Sequence, residues 1–321
     1  MERKTIKIGT RGSSLALQQS TWVKEVLGKT YPHLKIELVV IKTSGDKILD
    51  VPLAAIGGKG LFVKEIEEAL LDKRIDLAVH SMKDMPGVLP KGLMIGAVPI
   101  REDPRDVLIS RDHVPLKDIP NQKRIGTSSL RRKAQLLHQR PDLQIVTLRG
   151  NLDTRIRKIY SEDLEGIVLA AAGIHRMGLK DQISQYLDLE ASLPAIGQGA
   201  LALEIREEDP WLKRLITVIH HEATALCIQA ERSFLNRLQG GCQIPIAGHA
   251  WIKGQRIILI GLIASLDGRE MFKNKIEGPL TDSLSLGVRL AEKLLKVGGK
   301  SILDQIYETT GTRSSREMKG S

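Results

Sequence analysis

At 321 residues the chain exceeds one ordinary domain and calls for two or three. Lys plus Arg outnumber Asp plus Glu by 48 to 38, a net charge of +10, so an anionic partner is expected; with aromatics at 3%, no basic tail and no recognisable nucleic-acid module, nucleic acid is set aside. The charged N-terminus lacks the apolar stretch of a signal peptide, and the longest apolar run, IILIGLIA, is far short of a membrane span, which together predict a cytoplasmic protein with no membrane partner.

From Ile6 the chain predicts a strand in KIGTR, a helix through SSLALQQSTWVKEVLG, a strand in KIELVVI, a helix in LFVKEIEEALLDKR and a strand in DLAVH. This alternation predicts an α/β fold with a largely parallel sheet. LMIGAVP and DVLIS add strands, with REDPRD between them as a hinge or boundary. An internal echo follows: IGTRGSSLALQ, from Ile8 to Gln18, is matched by IGTSSLRRKAQ, from Ile125 to Gln135, each a strand end running into a serine-started helix. The two halves should therefore repeat one unit, and a helix start with free amides attracts anions. QIVTLRG then leads to the helix NLDTRIRKIY, GIVLAAAGI is apolar, SLPAIGQGA is a loop, and LALEI alternates as a strand. A third unit follows Ala223, with a strand in IILIGLIAS and a helix in SLSLGVRLAEKLLKV; the tail TTGTRSSREMKGS has the composition of a disordered segment.

Chemistry concentrates at strand ends. After DLAVH, the loop SMKDMPG offers Ser81, Lys83 and Asp84 at the carboxyl end of a predicted parallel strand, where open α/β sheets bind ligands; a plain surface pair between Lys83 and Asp84 is the alternative. Arg11, Arg131, Arg132, Arg149, Arg155 and Arg176 all fall at strand ends or first helical turns, and clustered guanidinium forks suit a small ligand with several acidic groups. GGKG at Gly57 to Gly60 fails as a phosphate loop, having Leu53 and Gly60 at two required positions; GGKGLF instead predicts a glycine-rich loop carrying Lys59 and Phe62 over the cleft. The dinucleotide-like pattern from Gly197 to Ala202 is preceded by Pro194 and followed by a strand, so it fails too.

Of the two cysteines, Cys227 lies among Ala223, Leu226, Ala230, Phe234 and Leu238 at helical spacing and is expected in the core. Cys242 follows Gly240 and Gly241 and precedes Pro245, on a tight turn; from its surroundings alone it is either a buried turn residue or a thiol placed to be reached. No metal site is expected, since the cysteines lack a zinc spacing and His220 and His221 are adjacent.

Taken together, HSMKDMP, IGTSSLRRKAQ, LRGNLDTRIRK, LPAIGQGALALE and GGCQIPIAGHA closely resemble the porphobilinogen deaminase (hydroxymethylbilane synthase) family. The resemblance implies two lobes like those of type II periplasmic-binding proteins and a small C-terminal α/β (α+β) domain: residues 1–100 with 199–218, residues 101–198 and residues 219–308; the tail over 309–321, read as flexible from its composition, is unlike a family signature. It implies that Cys242 carries a dipyrromethane cofactor through a thioether, which settles the reading of that cysteine toward function. The implied reaction condenses four porphobilinogen molecules, each losing ammonia, into linear hydroxymethylbilane. Asp84 would stabilise the cation left by ammonia loss and move protons. Ser81, Lys83, Thr127, Ser128, Ser129, Arg131 and Arg132 match positions contacting cofactor carboxylates, and Arg11, Ser13, Arg149, Arg155, Arg176 and Gln198 match substrate or chain contacts. The family likeness also implies a monomer. A non-enzymatic two-lobed anion-binding protein is the competing reading; it accounts for the arginines but not for the glycine-flanked thiol.

Overall fold

Apolar residues at alternate positions turn β1 (Thr5–Thr10) inward at Ile6 and Ile8, both fully buried. The chain enters α1 (Ser14–Thr30) through Ser13, whose hydroxyl accepts the Ala16 amide at 3.4 Å, and Val23 and Leu27, one turn apart, press that helix onto the sheet. Strand β2 (Lys35–Val40), helix α2 (Lys64–Leu71) and strands β3 (Leu77–Ser81) and β4 (Leu93–Ala97) complete the outgoing part of the first lobe. The structure, a computed structural model, describes residues 4–47, 62–239 and 244–310.

Residues 98–105 cross to a second lobe, built from β5 (Asp106–Ser110), β6 (Arg124–Gly126), α3 (Leu130–Gln139), β7 (Gln144–Val146), α4 (Leu152–Ser161), β8 (Gly166–Ala170), α5 (Ala171–Arg176) and β9 (Gln185–Tyr186). Residues 187–200 then cross back, and β10 (Leu201–Arg206) and α6 (Pro210–Ile216) join the first lobe.

The two five-stranded sheets share one plan, β2-β1-β3-β10-β4 and β7-β6-β8-β5-β9. Their strands run the same way except β10 and β5, each antiparallel to both neighbours. Register supplies the reason. Leu201 opens β10 beside Ser81, the last residue of β3, and Asp106 opens β5 beside Ala170, the last residue of β8. Each crossing therefore joins the carboxyl edge of one sheet to the carboxyl edge of the other, and a strand arriving there must run against its neighbours. The sequence echo has the same origin: Ser129 caps α3 after β6 as Ser13 caps α1 after β1, accepting the Arg132 amide at 3.4 Å.

The third unit packs α7 (Glu222–Arg237) and α8 (Ser283–Leu294) on an antiparallel sheet of β11 (Ile246–Lys253), β12 (Arg256–Ala264) and β13 (Met271–Pro279). Phe234, Leu259, Ile263, Leu286 and Leu290 are fully buried in its core; a buried phenylalanine of this kind is worth about 3–5 kcal/mol against alanine. Helix α9 (Lys300–Thr310) buries Ile302, Leu303 and Ile306 in the same core. It runs through Thr310, so the helix extends two residues into the segment whose composition reads as flexible.

Candidate functional site

The candidate site residues fall at the carboxyl edges of the two sheets. In the first lobe β3 ends at Ser81, whose hydroxyl accepts from the Gln19 side chain at 3.2 Å, and a single helical turn, Met82–Asp84, follows. Met82, 2% exposed, anchors this turn, leaving Lys83 and Asp84 half-buried beside it. They do not pair: Lys83 has no hydrogen-bond or ion-pair partner among the described residues. Burial first, then the Arg132 guanidinium, push the Lys83 ammonium down to about 8, while Asp84 and Asp106 pull the other way.

In the second lobe the loop after β6 carries Thr127, Ser128 and Ser129. The Thr127 hydroxyl accepts the Ser129 amide at 3.3 Å and Ser128 donates to the Leu148 carbonyl, which holds the start of α3 in one conformation. The first turn of α3 presents Arg131 and Arg132, 4% and 6% exposed, and both reach a carboxylate that sequence reasoning missed, the fully buried Asp106. Gln198 joins them, donating to Asp106 at 2.9 Å and to the Pro104 carbonyl at 2.7 Å. The flanking glycines are needed there: Gly197 has φ +72° and Gly199 φ +90°, and a Cβ on Gly199 would lie 2.3 Å from the Glu102 carbonyl oxygen. Gln198, 1% exposed, is thus tied into the second lobe's buried network.

Arg149 and Arg155 differ from this pair. Among the described residues, Nη2 of Arg149 is buried without a partner, and Arg155 makes one hydrogen bond, from Nε to the Gly150 carbonyl at 2.8 Å. Burial, then the charges of Arg132 and Arg149, lower Arg155 to about 10, with Asp84 opposing them. Lys83 and Asp84 of one lobe and Arg132, Arg149 and Arg155 of the other therefore share one electrostatic environment. Arg11 is held by Asp46 at 2.5 Å and lies over the Phe62 ring at 4.2 Å, and Arg176 donates to the Gly199 carbonyl at 2.7 Å. Ser13 is the α1 cap. Lys59 and Cys242 lie outside the described residues.

Uncompensated cations converging on an accessible carboxylate fit a polyanionic organic ligand. Orphaned donors on Arg149 and Arg131 and the unpartnered Lys83 are what bound carboxylates would satisfy. Cys227 is unsuited to anchoring a ligand: it is 6% exposed in the third core, and burial, reinforced by the Glu231 charge, pushes its thiol up to about 12. Among the described residues no group of three or more His, Cys, Asp or Glu could hold a metal ion, and no helix is long and apolar enough to cross a membrane.

Residues 6–214 match the family described as "Porphobilinogen deaminase, dipyromethane cofactor binding domain", and residues 225–296 match "Porphobilinogen deaminase, C-terminal domain". The chain is 54% identical to the porphobilinogen deaminase of Geobacter metallireducens, covering 96% of each chain. It is 52% identical to that of Pelobacter propionicus, covering 96% of this chain and 99% of the relative. Among solved structures it is similar to the periplasmic VFT2 domain of Bordetella pertussis BvgS, with TM-score 0.42 and 13% identity over 68% of this chain and 87% of that one. It is also similar to the BenM effector-binding domain with benzoate, with TM-score 0.42 and 18% identity over 68% of this chain and 91% of that one. With both domain models matched in order and relatives above half identity along nearly its whole length, the chain belongs to the porphobilinogen deaminase family.

Proposed function

We propose that this chain joins four porphobilinogen molecules, with loss of ammonia at each addition, into a linear tetrapyrrole that water then cleaves from the tether, supplying the hydroxyl of hydroxymethylbilane, and that Cys242 holds its dipyrromethane cofactor through a thioether. The observation that carries this reading is the half-buried carboxylate of Asp84 within electrostatic reach of Lys83 and Arg155, neither of which has an ion-pair partner among the described residues. Every pyrrole brings an acetate and a propionate, so a lengthening product accumulates negative charge that such a cleft offsets. The cofactor, when bound, supplies a tethered primer onto which the chain grows.

The protein's own groups divide the remaining work. Lys83, Arg131, Arg132 and the Ser81, Thr127, Ser128 and Ser129 hydroxyls hold cofactor carboxylates; Arg11, Ser13, Arg149, Arg155, Arg176 and Gln198 hold the incoming pyrrole and the extending chain. Asp84 offsets the positive charge that develops on the incoming pyrrole as its amine departs, helps protonate that amine and accepts the proton released when the ring regains aromaticity. Lys59 and Phe62 would border the cleft, with Phe62 already seated against Arg11. We read the protein as a cytoplasmic monomer.

Intact mass spectrometry tests the assignment. The purified chain should carry an adduct of two pyrrole units that maps to the Cys242 peptide; a bare chain mass overturns it. Arg155→Gln, which removes a cation without an ion-pair partner among the described residues, should accumulate covalent intermediates with fewer added pyrroles, at a rate lowered about a hundredfold. An unchanged distribution of intermediates by intact mass would remove Arg155 from the elongation path.

A further inference from the structure

Asp106 occupies the point where the first crossing becomes β5, opposite the last residue of β8, and it is fully buried. Its carboxylate receives donors from two directions. From α3 come Arg131 Nη1 at 2.7 Å and Nη2 at 3.2 Å, with Arg132 Nε at 3.0 Å and Nη2 at 2.8 Å. From the return crossing come Gln198 Nε2 at 2.9 Å and Ser192 Oγ at 3.2 Å. A carboxylate has about four lone-pair directions, so this one is saturated and has no capacity left for a ligand. Burial alone would raise its pKa, but the two guanidinium charges hold it well below the usual carboxylate range, so it stays ionised.

The charges around it do not balance. Two buried guanidiniums share one buried carboxylate, and Nε of Arg131 is buried without a partner. Backbone carbonyls take other donors, Val168 from Arg132 and Leu193 from Arg131, but they bring dipoles and no charge. The cluster is therefore fixed in space and short of one negative charge, which is how a preorganised anion site differs from a closed structural ion pair.

We propose that Asp106 is a positioning residue of this enzyme: it locks the Arg131 and Arg132 side chains at the edge of the second sheet, ready for the cofactor's carboxylates, and ties both crossings to that lock. The inference rests on the reading that Arg131 and Arg132 hold the cofactor.

Two substitutions in the full-length protein test it. Asp106→Asn removes the charge and keeps the shape; Asp106→Glu keeps the charge and moves it by one methylene, leaving no guanidinium unpaired. Three quantities are read: the fraction of chains carrying the two-pyrrole adduct, kcat and KM. Asp106→Asn should lose most of the adduct. Asp106→Glu should fold with a melting temperature near the parent's, yet lower kcat in its adduct-bearing fraction about a hundredfold through displaced guanidiniums. If Asp106→Asn does not fold, Asp106→Glu decides alone. Parental adduct and kcat in Asp106→Glu would reduce Asp106 to charge balance and overturn the proposal. If Arg131→Gln and Arg132→Gln both keep a full adduct, the reading of those arginines fails instead, whatever Asp106 does.

Discussion

Asp84→Asn is expected to lower turnover about a thousandfold while leaving the two-pyrrole adduct on the protein. The two carboxylates near Lys83 have opposite circumstances. Asp106 is fully buried and saturated by Arg131, Arg132, Gln198 and Ser192, whereas Asp84 is half-buried on the helical turn after β3 with no hydrogen-bond partner among the described residues. Of the two, Asp84 alone is free to meet a charge that appears during the reaction. Its surroundings suit that role, because Arg155 and Lys83 lie within electrostatic reach and embed its negative charge in a positive field until a cationic pyrrole arrives. Asparagine preserves volume and hydrogen-bonding reach but neither offsets the cation nor carries the proton. Steady-state product formation alongside intact mass checks this. A rate within tenfold of the parent with the adduct present would remove Asp84 from the chemistry, and loss of the adduct would make it a cofactor-holding residue instead.

The sequence announces those parts of the site that depend on local signals. A serine before an apolar-periodic run marks a helix start, and both such serines, Ser13 and Ser129, are caps in the structure. An apolar strand ending in a polar loop marks a carboxyl edge, which located Ser81, Lys83 and Asp84. Asp106 and Glu231 were not legible, because their partners lie far along the chain: Asp106 meets Arg131 across 25 residues and Gln198 across 92, and Glu231 meets Arg101 across 130. One signal was available for Asp106. It opens DVLIS, whose other residues are all buried, so a charge there had to find buried partners. In the third domain, β13 escaped because the lysines and glutamate at its exposed positions make MFKNKIEGP read as a polar loop, while β11 begins at Ile246, close in sequence to Cys242, which drew attention for other reasons. The opposed strands β10 and β5 were hidden for a topological reason: strand direction depends on which sheet the chain enters next, and local periodicity carries no information about that.

Glu231→Gln is expected to destabilise the protein by about 3–5 kcal/mol at neutral pH, because it strands a guanidinium in a nearly dry setting. Glu231 projects from α7 with no exposed surface and meets Arg101 of the first crossing through Nη1 at 2.5 Å and Nη2 at 3.2 Å. The same carboxylate accepts the Gly197 amide of the return crossing and the Ala250 amide of β11, each at 2.7 Å. One side chain of the third domain therefore fastens both connections between the lobes, and glutamine would turn an NH2 toward a backbone donor while leaving Arg101 unpaired. Burial alone would raise the Glu231 carboxyl, but Arg101, with a contribution from His249, outweighs it and holds the group at about 2. A carboxyl depressed in the folded state stabilises above its unfolded pKa, near 4.5, and loses that contribution as pH falls toward 2; the full amount is on the order of 3 kcal/mol. Glutamine has no such titration. The deficit of Glu231→Gln, read as the difference in urea unfolding midpoints from the parent, should be largest between pH 5 and 7 and shrink as pH falls to about 3. A deficit that stays constant from pH 7 to 3 would mean that the fastening rests on shape and hydrogen bonds alone, without the charge of Glu231.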